Sequence, residues 1–239
     1  MSKLSLLFTK GGLQWKVGKK SSATEKSYFK DENASENFIL EKLEEALQEK
    51  KISRIEVICA LNHFAMMPYG FDQHNLAYPL ISYNSTVDEN HEELMLAINK
   101  NHHVQFYYTL PKNIYSRIKK TKLNVLFNFS GEKFLSQISI KKNTPQIHIH
   151  LYENQCEFFA IKESKILLYN NLDSSAEVDF LYFIMFSVSK LNFPMEKTQF
   201  YIYGNVRENE TFLSELQKFS SNVKIIRENI KNQFNFILQ

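Results

Sequence analysis

The sequence predicts a mixed α/β protein made of two strand-rich halves that repeat one order of elements. Two observations carry this. Among 239 residues there are 20 Phe and 12 Tyr but only 6 Gly and 5 Pro, a balance that favours pleated, half-buried sheets over loops. Each half, moreover, reads as three closely spaced strands followed by helix, strand, helix, strand. A hydrophobic share of 44% with 23% charged residues is that of a globular chain rather than a disordered one.

The first half opens on a hairpin. Leu4, Leu6 and Phe8 alternate, Gly11-Gly12 supplies the turn, and Leu13, Trp15 and Val17 alternate again. Tyr28-Phe29 marks a short third strand inside a polar stretch. Ser35 is placed to cap a helix running to about Lys51, with Phe38, Ile39, Leu43, Ala46 and Leu47 as its apolar face. Arg54 to Leu61 reads as a buried strand, Val104 to Leu110 as another, and Asn124 to Phe129 as a third. Pro111 is well placed in the first turn of a helix, and Gly131 to Ile140 has helical character. Between them, from about Asn62 to Asn101, an insertion is punctuated by Pro68, Gly70 and Pro79.

The second half starts after Pro145, which divides the chain into residues 1–144 and 145–239. Gln146 to Glu153, Cys156 to Lys162 and Ser164 to Asn171 are three strands joined by short turns. Ser174 and Glu177 have capping-box spacing for a helix from about Ala176 to Asn192, stopped by Pro194. That helix is apolar nearly all round and is expected to lie sandwiched between layers. Gln199 to Tyr203 is a strand, Glu208 to Ser220 a helix, Val223 to Ile226 a strand, and Asn235 to Leu238 a last short strand.

Composition also excludes function classes. A net charge of +3 is too small for a dedicated polyanion binder. Cys59 and Cys156 each sit inside an apolar run, which predicts buried thiols in a reducing compartment. The longest apolar stretch, Phe180 to Phe186, falls far short of the roughly 20 residues a spanning helix needs. The N-terminal apolar run, broken by Lys10-Gly11-Gly12, is too short for a signal peptide. Cytoplasmic localisation without membrane contact is the expectation.

Several stretches resemble an uncharacterised, domain-of-unknown-function family from Bacteroidota. These are His63-Phe64-Ala65-Met66-Met67-Pro68-Tyr69-Gly70-Phe71-Asp72, Glu163 to Asn170, Glu177 to Phe183 and Tyr201 to Val206. The resemblance implies an actin-like ATPase fold, with two RNase H-like subdomains of βββαβαβ order, and it brings no activity with it. Three meandering strands followed by αβαβ, given twice, are the plan of that fold.

Actin-like ATPases hold phosphates with two hairpin turns of the type Asp-x-Gly-Thr, one per half, and an acidic residue places Mg²⁺ and water. Here the first turn is Phe8-Thr9-Lys10-Gly11-Gly12-Leu13, with Lys10 where an acid is expected. The second is Leu151-Tyr152-Glu153-Asn154-Gln155-Cys156 and has no glycine to bring backbone close to a phosphate. The late Gly-Gly turn of the adenosine site is reduced to Gly204. The expected protein is therefore a non-enzyme with no bound cofactor. Lys10, Gly11 and Gly12 are a remnant phosphate turn where ATP and Mg²⁺ would bind if either did, or else a plain tight hairpin.

Other motifs also admit both a functional and a plainer reading. His148 and His150 share one strand face, but two ligands do not make a metal site, and a polar sheet face is the plainer reading. His102-His103 point to opposite sides if extended, which makes a joint role weaker still. Lys112, Arg117, Lys119, Lys120 and Lys122 around Tyr115 could meet phosphates or form a solvated helix face. No nucleophile elbow is present, and neither cysteine lies at a helix N-terminus. Phe64, Met66, Met67 and Tyr69 could form an adaptable partner surface, since Met repacks easily, or could fill core. The leading expectation is a non-catalytic scaffold or protein-interaction module with a protein partner. Its alternatives are a nucleotide-binding switch and a nucleic-acid-associated protein, and homo-oligomerisation stays open.

Overall fold

The computed structural model describes residues 2–18, 23–30, 34–35, 37–49, 51–152, 155–173, 177–206, 209–228 and 235–238. Packing divides the chain into two units, Met1–Ser136 with Ile237–Gln239, and Gln137–Phe236.

The first unit contains β1 (Ser2–Thr9), β2 (Gly12–Val17), β3 (Thr24–Phe29), α1 (Phe38–Leu47), β4 (Ile52–Cys59), β5 (Phe64–Pro68), α2 (Ala77–Ser82), β6 (Glu92–Asn99), β7 (Val104–Pro111), α3 (Lys112–Lys120), β8 (Asn124–Phe129) and α4 (Ser130–Leu135). Its main sheet has the order β3-β2-β1-β4-β8. β1, β2 and β3 are antiparallel, while β1, β4 and β8 run parallel. Central β1 is buried from Leu4 to Thr9, as a strand covered on both faces must be. In β2 the expected alternation holds, with Leu13, Trp15 and Val17 buried.

Three local expectations differ from this structure. β7 pairs with β5 and β6 in a separate three-stranded sheet of order β5-β7-β6, so the inserted segment runs through Pro111. Its apolar run marks a strand, but hydrophobicity does not say which neighbour supplies the hydrogen bonds. Ser35 does not cap α1: Asn37 holds the N-cap position without a side-chain bond, and the Ser35 carbonyl accepts from the Phe38 N–H at 3.1 Å. α4 ends at Leu135 instead of continuing to residue 140.

The second unit contains β9 (Gln146–Leu151), β10 (Gln155–Lys162), β11 (Lys165–Asp173), α5 (Glu177–Lys190), β12 (Gln199–Gly204), α6 (Glu210–Phe219) and β13 (Val223–Glu228). Its sheet order, β11-β10-β9-β12-β13, places third, second, first, fourth and fifth strands as the first unit does. The duplicated βββαβαβ plan is therefore present. Residues 236–238 form a 3₁₀ turn, not a strand. Ser174 lies outside the described residues, as do Glu153 and Asn154 of the β9–β10 turn.

Strand alternation sorts the second sheet into two faces. Ile147, Ile149, Phe158, Ala160, Phe200 and Ile202 form a core with Phe180, Leu181, Ile184 and Val188 of α5 and with Phe212 and Leu216 of α6. The opposite face carries polar and aromatic side chains. The β10–β11 hairpin turns through Glu163 and Ser164, both at positive φ (53° and 63°), as a two-residue primed turn requires to match strand twist. Among the described residues no helix is long and apolar enough to cross a membrane.

Candidate functional site

The first hairpin turn is held by strand pairing. A Cβ on Gly12 would lie 2.2 Å from the Tyr28 carbonyl oxygen, so glycine there lets β3 approach β2. The Lys30 N–H donates to the Gly11 carbonyl at 2.6 Å. Above Gly11 no atom lies within 4 Å, and Lys10 is exposed. In the second turn the Tyr152 N–H donates to Gln155 O at 2.8 Å. Gly204 has φ +92°, and a Cβ there would meet Leu151 O at 2.2 Å. It too is demanded by backbone packing, here of β12 against β9.

Below the second turn, the polar face of the sheet is a solvent-excluded network. Register places Glu157 opposite His150 and Tyr203 beside it. The Glu157 carboxyl accepts from His150 Nδ1 at 2.7 Å, from the Tyr152 hydroxyl at 2.6 Å and from the Tyr169 hydroxyl at 2.6 Å. Glu157 and His150 are both fully buried. His148 lies 3.1 Å from the Tyr203 hydroxyl and 3.3 Å from Gln146 Oε1, and its ring stacks on Tyr201 with centroids 4.7 Å apart. Burial pushes the His148 imidazole down to about 3 and the Tyr203 phenol up. The Tyr201 hydroxyl has no hydrogen-bond partner among the described residues. Proton transfer to a substrate needs contact with it, and side chains this buried offer none. The network locks the polar groups of β9, β10, β11 and β12 into one register.

The other sequence candidates are spread out. The two histidines of β9 share a face as expected, but among the described residues no group of three or more His, Cys, Asp or Glu could hold a metal. Cys59 and Cys156 are both free and buried, and burial pushes the Cys59 thiol up to about 12. Within the basic helix α3, Arg117 pairs with Glu44, Lys112 donates to Glu89 O, and Lys119 lies over the Tyr115 and Phe127 rings. Of the four residues that could form a partner surface or fill core, Phe64 is core: it is 4% exposed and its ring lies 5.3 Å from Phe129. Met66 and Met67 are half-buried, Met67 against the cluster around Ala77 and Ile81. Only Tyr69 of the four is exposed.

The feature that sequence reasoning missed is the outer face of α5. Expected between layers, the helix buries one side only. Val178 (54%), Tyr182 (63%), Phe183 (45%) and Phe186 (50%) are exposed, as is Leu167 on edge strand β11. Tyr182 contacts Phe183 and Phe186 with centroids 5.4 and 6.3 Å away, and Lys190 Nζ lies 5.3 Å from the Phe186 ring. Phe183, Phe186 and Leu191 join Leu167 and Leu168 around a groove of about 400 Å³. An apolar helix side can be sandwiched or presented, and hydropathy alone does not distinguish the two.

Comparison with known proteins fits this description. A family model described as "Protein of unknown function (DUF3822)" matches residues 1–223. A Bacteroides thetaiotaomicron protein with actin-like ATPase fold and unknown function superposes with a TM-score of 0.80 at 19% identity, covering 100% of this chain and 94% of its own. A chain of the PilM–PilN type IV pilus biogenesis complex gives a TM-score of 0.58 at 8% identity, covering 97% and 88%. No curated protein matches. The fold is thus the actin-like ATPase fold.

Proposed function

The chain belongs to the DUF3822 family, and on that footing we propose that it is a non-enzymatic, actin-like protein-interaction module that works through the outer face of α5. The observation that carries the reading is the exposed strip of Tyr182, Phe183 and Phe186 beside Leu167. Contiguous exposed aromatics of this kind are typical of surfaces that another macromolecule covers. Strand packing also accounts for Gly12 of the first phosphate turn and for Gly204 of the late turn. An actin-like fold in company with another protein has a parallel in the PilM–PilN complex. The module needs no nucleotide or metal.

A photo-crosslinking residue at position 182, introduced into the full chain in its native cell, tests this. The expected result is a discrete protein adduct that disappears in Phe186→Asp. Because Phe186 is half exposed, that substitution should cost no more than about 1–2 kcal/mol of folding stability. No adduct, or one indifferent to Phe186→Asp, would refute the reading. A second reading, a nucleotide-responsive switch, is favoured by one observation: the open space above Gly11 beside exposed Lys10.

A further inference from the structure

The charge pattern along α5 specifies what covers it. Asp179 and Lys190, both exposed, are eleven residues apart. At 100° per residue they fall about 20° apart around the helix, on the same outward strip as Phe186. Between them lie Phe183 and Phe186. The acid stands in the first turn and the base at the last residue of the helix. The pairs Asp179/Lys190 and Phe183/Phe186 share one midpoint, between Ile184 and Met185.

An antiparallel copy of the same helix laid across this strip makes both pairs complementary at once. Each Phe183 meets the other copy's Phe186, and each Asp179 meets the other copy's Lys190. Opposed helix dipoles add to the match. A two-fold contact of this kind uses the same patch twice, which requires self-complementarity. A parallel copy would instead set Asp179 against Asp179 and Lys190 against Lys190. Leu167 and the groove lie beside the contact on the β11 side and extend the apolar area.

We infer that the partner at α5 is a second copy of this chain, docked as an antiparallel helix pair with a two-fold axis between Ile184 and Met185. The inference rests on the interaction-module reading and names its partner. Sedimentation of the full chain, from low micromolar to several hundred micromolar, tests it. The expected result is a monomer–dimer equilibrium that Phe186→Asp abolishes. Asp179→Lys and Lys190→Asp should each weaken association by about tenfold or more, whereas the double charge swap should restore it to within about threefold.

A monomeric wild-type chain would overturn the inference, as would a dimer insensitive to Phe186→Asp or a double swap no tighter than either single variant. If the wild type is monomeric while position 182 still crosslinks to a different protein, self-pairing fails and the interaction-module reading stands. If position 182 gives no adduct, both fail.

Discussion

Replacing Glu157 by alanine is expected to destabilise the second unit by about 4–6 kcal/mol, a large part of the roughly 5–15 kcal/mol that holds a domain together. The carboxyl is fully buried and accepts from three donors, His150, Tyr152 and Tyr169, all themselves buried. Alanine removes that acceptor from each of them and leaves a void. Glu157→Gln keeps one acceptor oxygen but turns its amide toward donors, so an intermediate loss is expected. Tyr169→Phe removes the hydroxyl's bond to Glu157 and should cost about 1 kcal/mol. Urea unfolding checks the order. Trp15, the single tryptophan, reports the first unit by fluorescence, while far-UV circular dichroism follows both units, so a transition without a fluorescence change belongs to the second.

The second large effect is a loss of stability in mild acid that traces to His148. Its imidazole is held neutral by burial, down to about 3 from an ordinary 6.5. Below pH 6.5 the unfolded chain binds a proton there that the folded chain refuses. Stability therefore falls as pH falls, by up to about 1.4 kcal/mol per pH unit, and by about 3 kcal/mol between pH 7 and pH 4. His102, lowered by burial and by His103, adds in the same direction. The carboxylates act lower. Hydrogen bonds from Lys26 and Tyr28 hold Glu45 down to about 2, and Lys3 and Lys133 outweigh burial to lower Glu56, so their contributions are lost only below about pH 4.5. Between pH 6.5 and 4.5 the difference between wild type and His148→Gln isolates the imidazole. A variant with the wild-type slope would show that His148 is not its source.

Sequence patterns that depend on one chain segment were legible. Period-two alternation marked β1, β2 and β9, and the shared order of elements gave the duplicated plan. His148 and His150 were visible as one strand face for the same reason. What depended on pairing was not visible. Glu157 sits in the run Cys156-Glu157-Phe158-Phe159, where a lone acid reads as a solvent-facing charge. Only the register of β10 between β9 and β11 brings it to His150 and places Tyr169 within reach. The sheet that β7 joins depends on neighbours supplied by an insertion, and a methionine-rich strand such as that of Phe64, Met66 and Met67 is equally suited to surface and to core. In α5, composition all round the helix concealed which side the sheet covers. The exposed strip became apparent only with Ile147, Ile149, Phe158 and Phe200 already packed on the other side.

Thermal denaturation of the full chain with rising Mg-ATP tests most directly whether the protein works without its phosphate turns. No shift in Tm is expected at any concentration. A saturable rise of about 5–10 °C, the amount expected of a ligand present at about a hundred times its Kd, would contradict the account and return the Lys10–Gly12 turn to the centre of function.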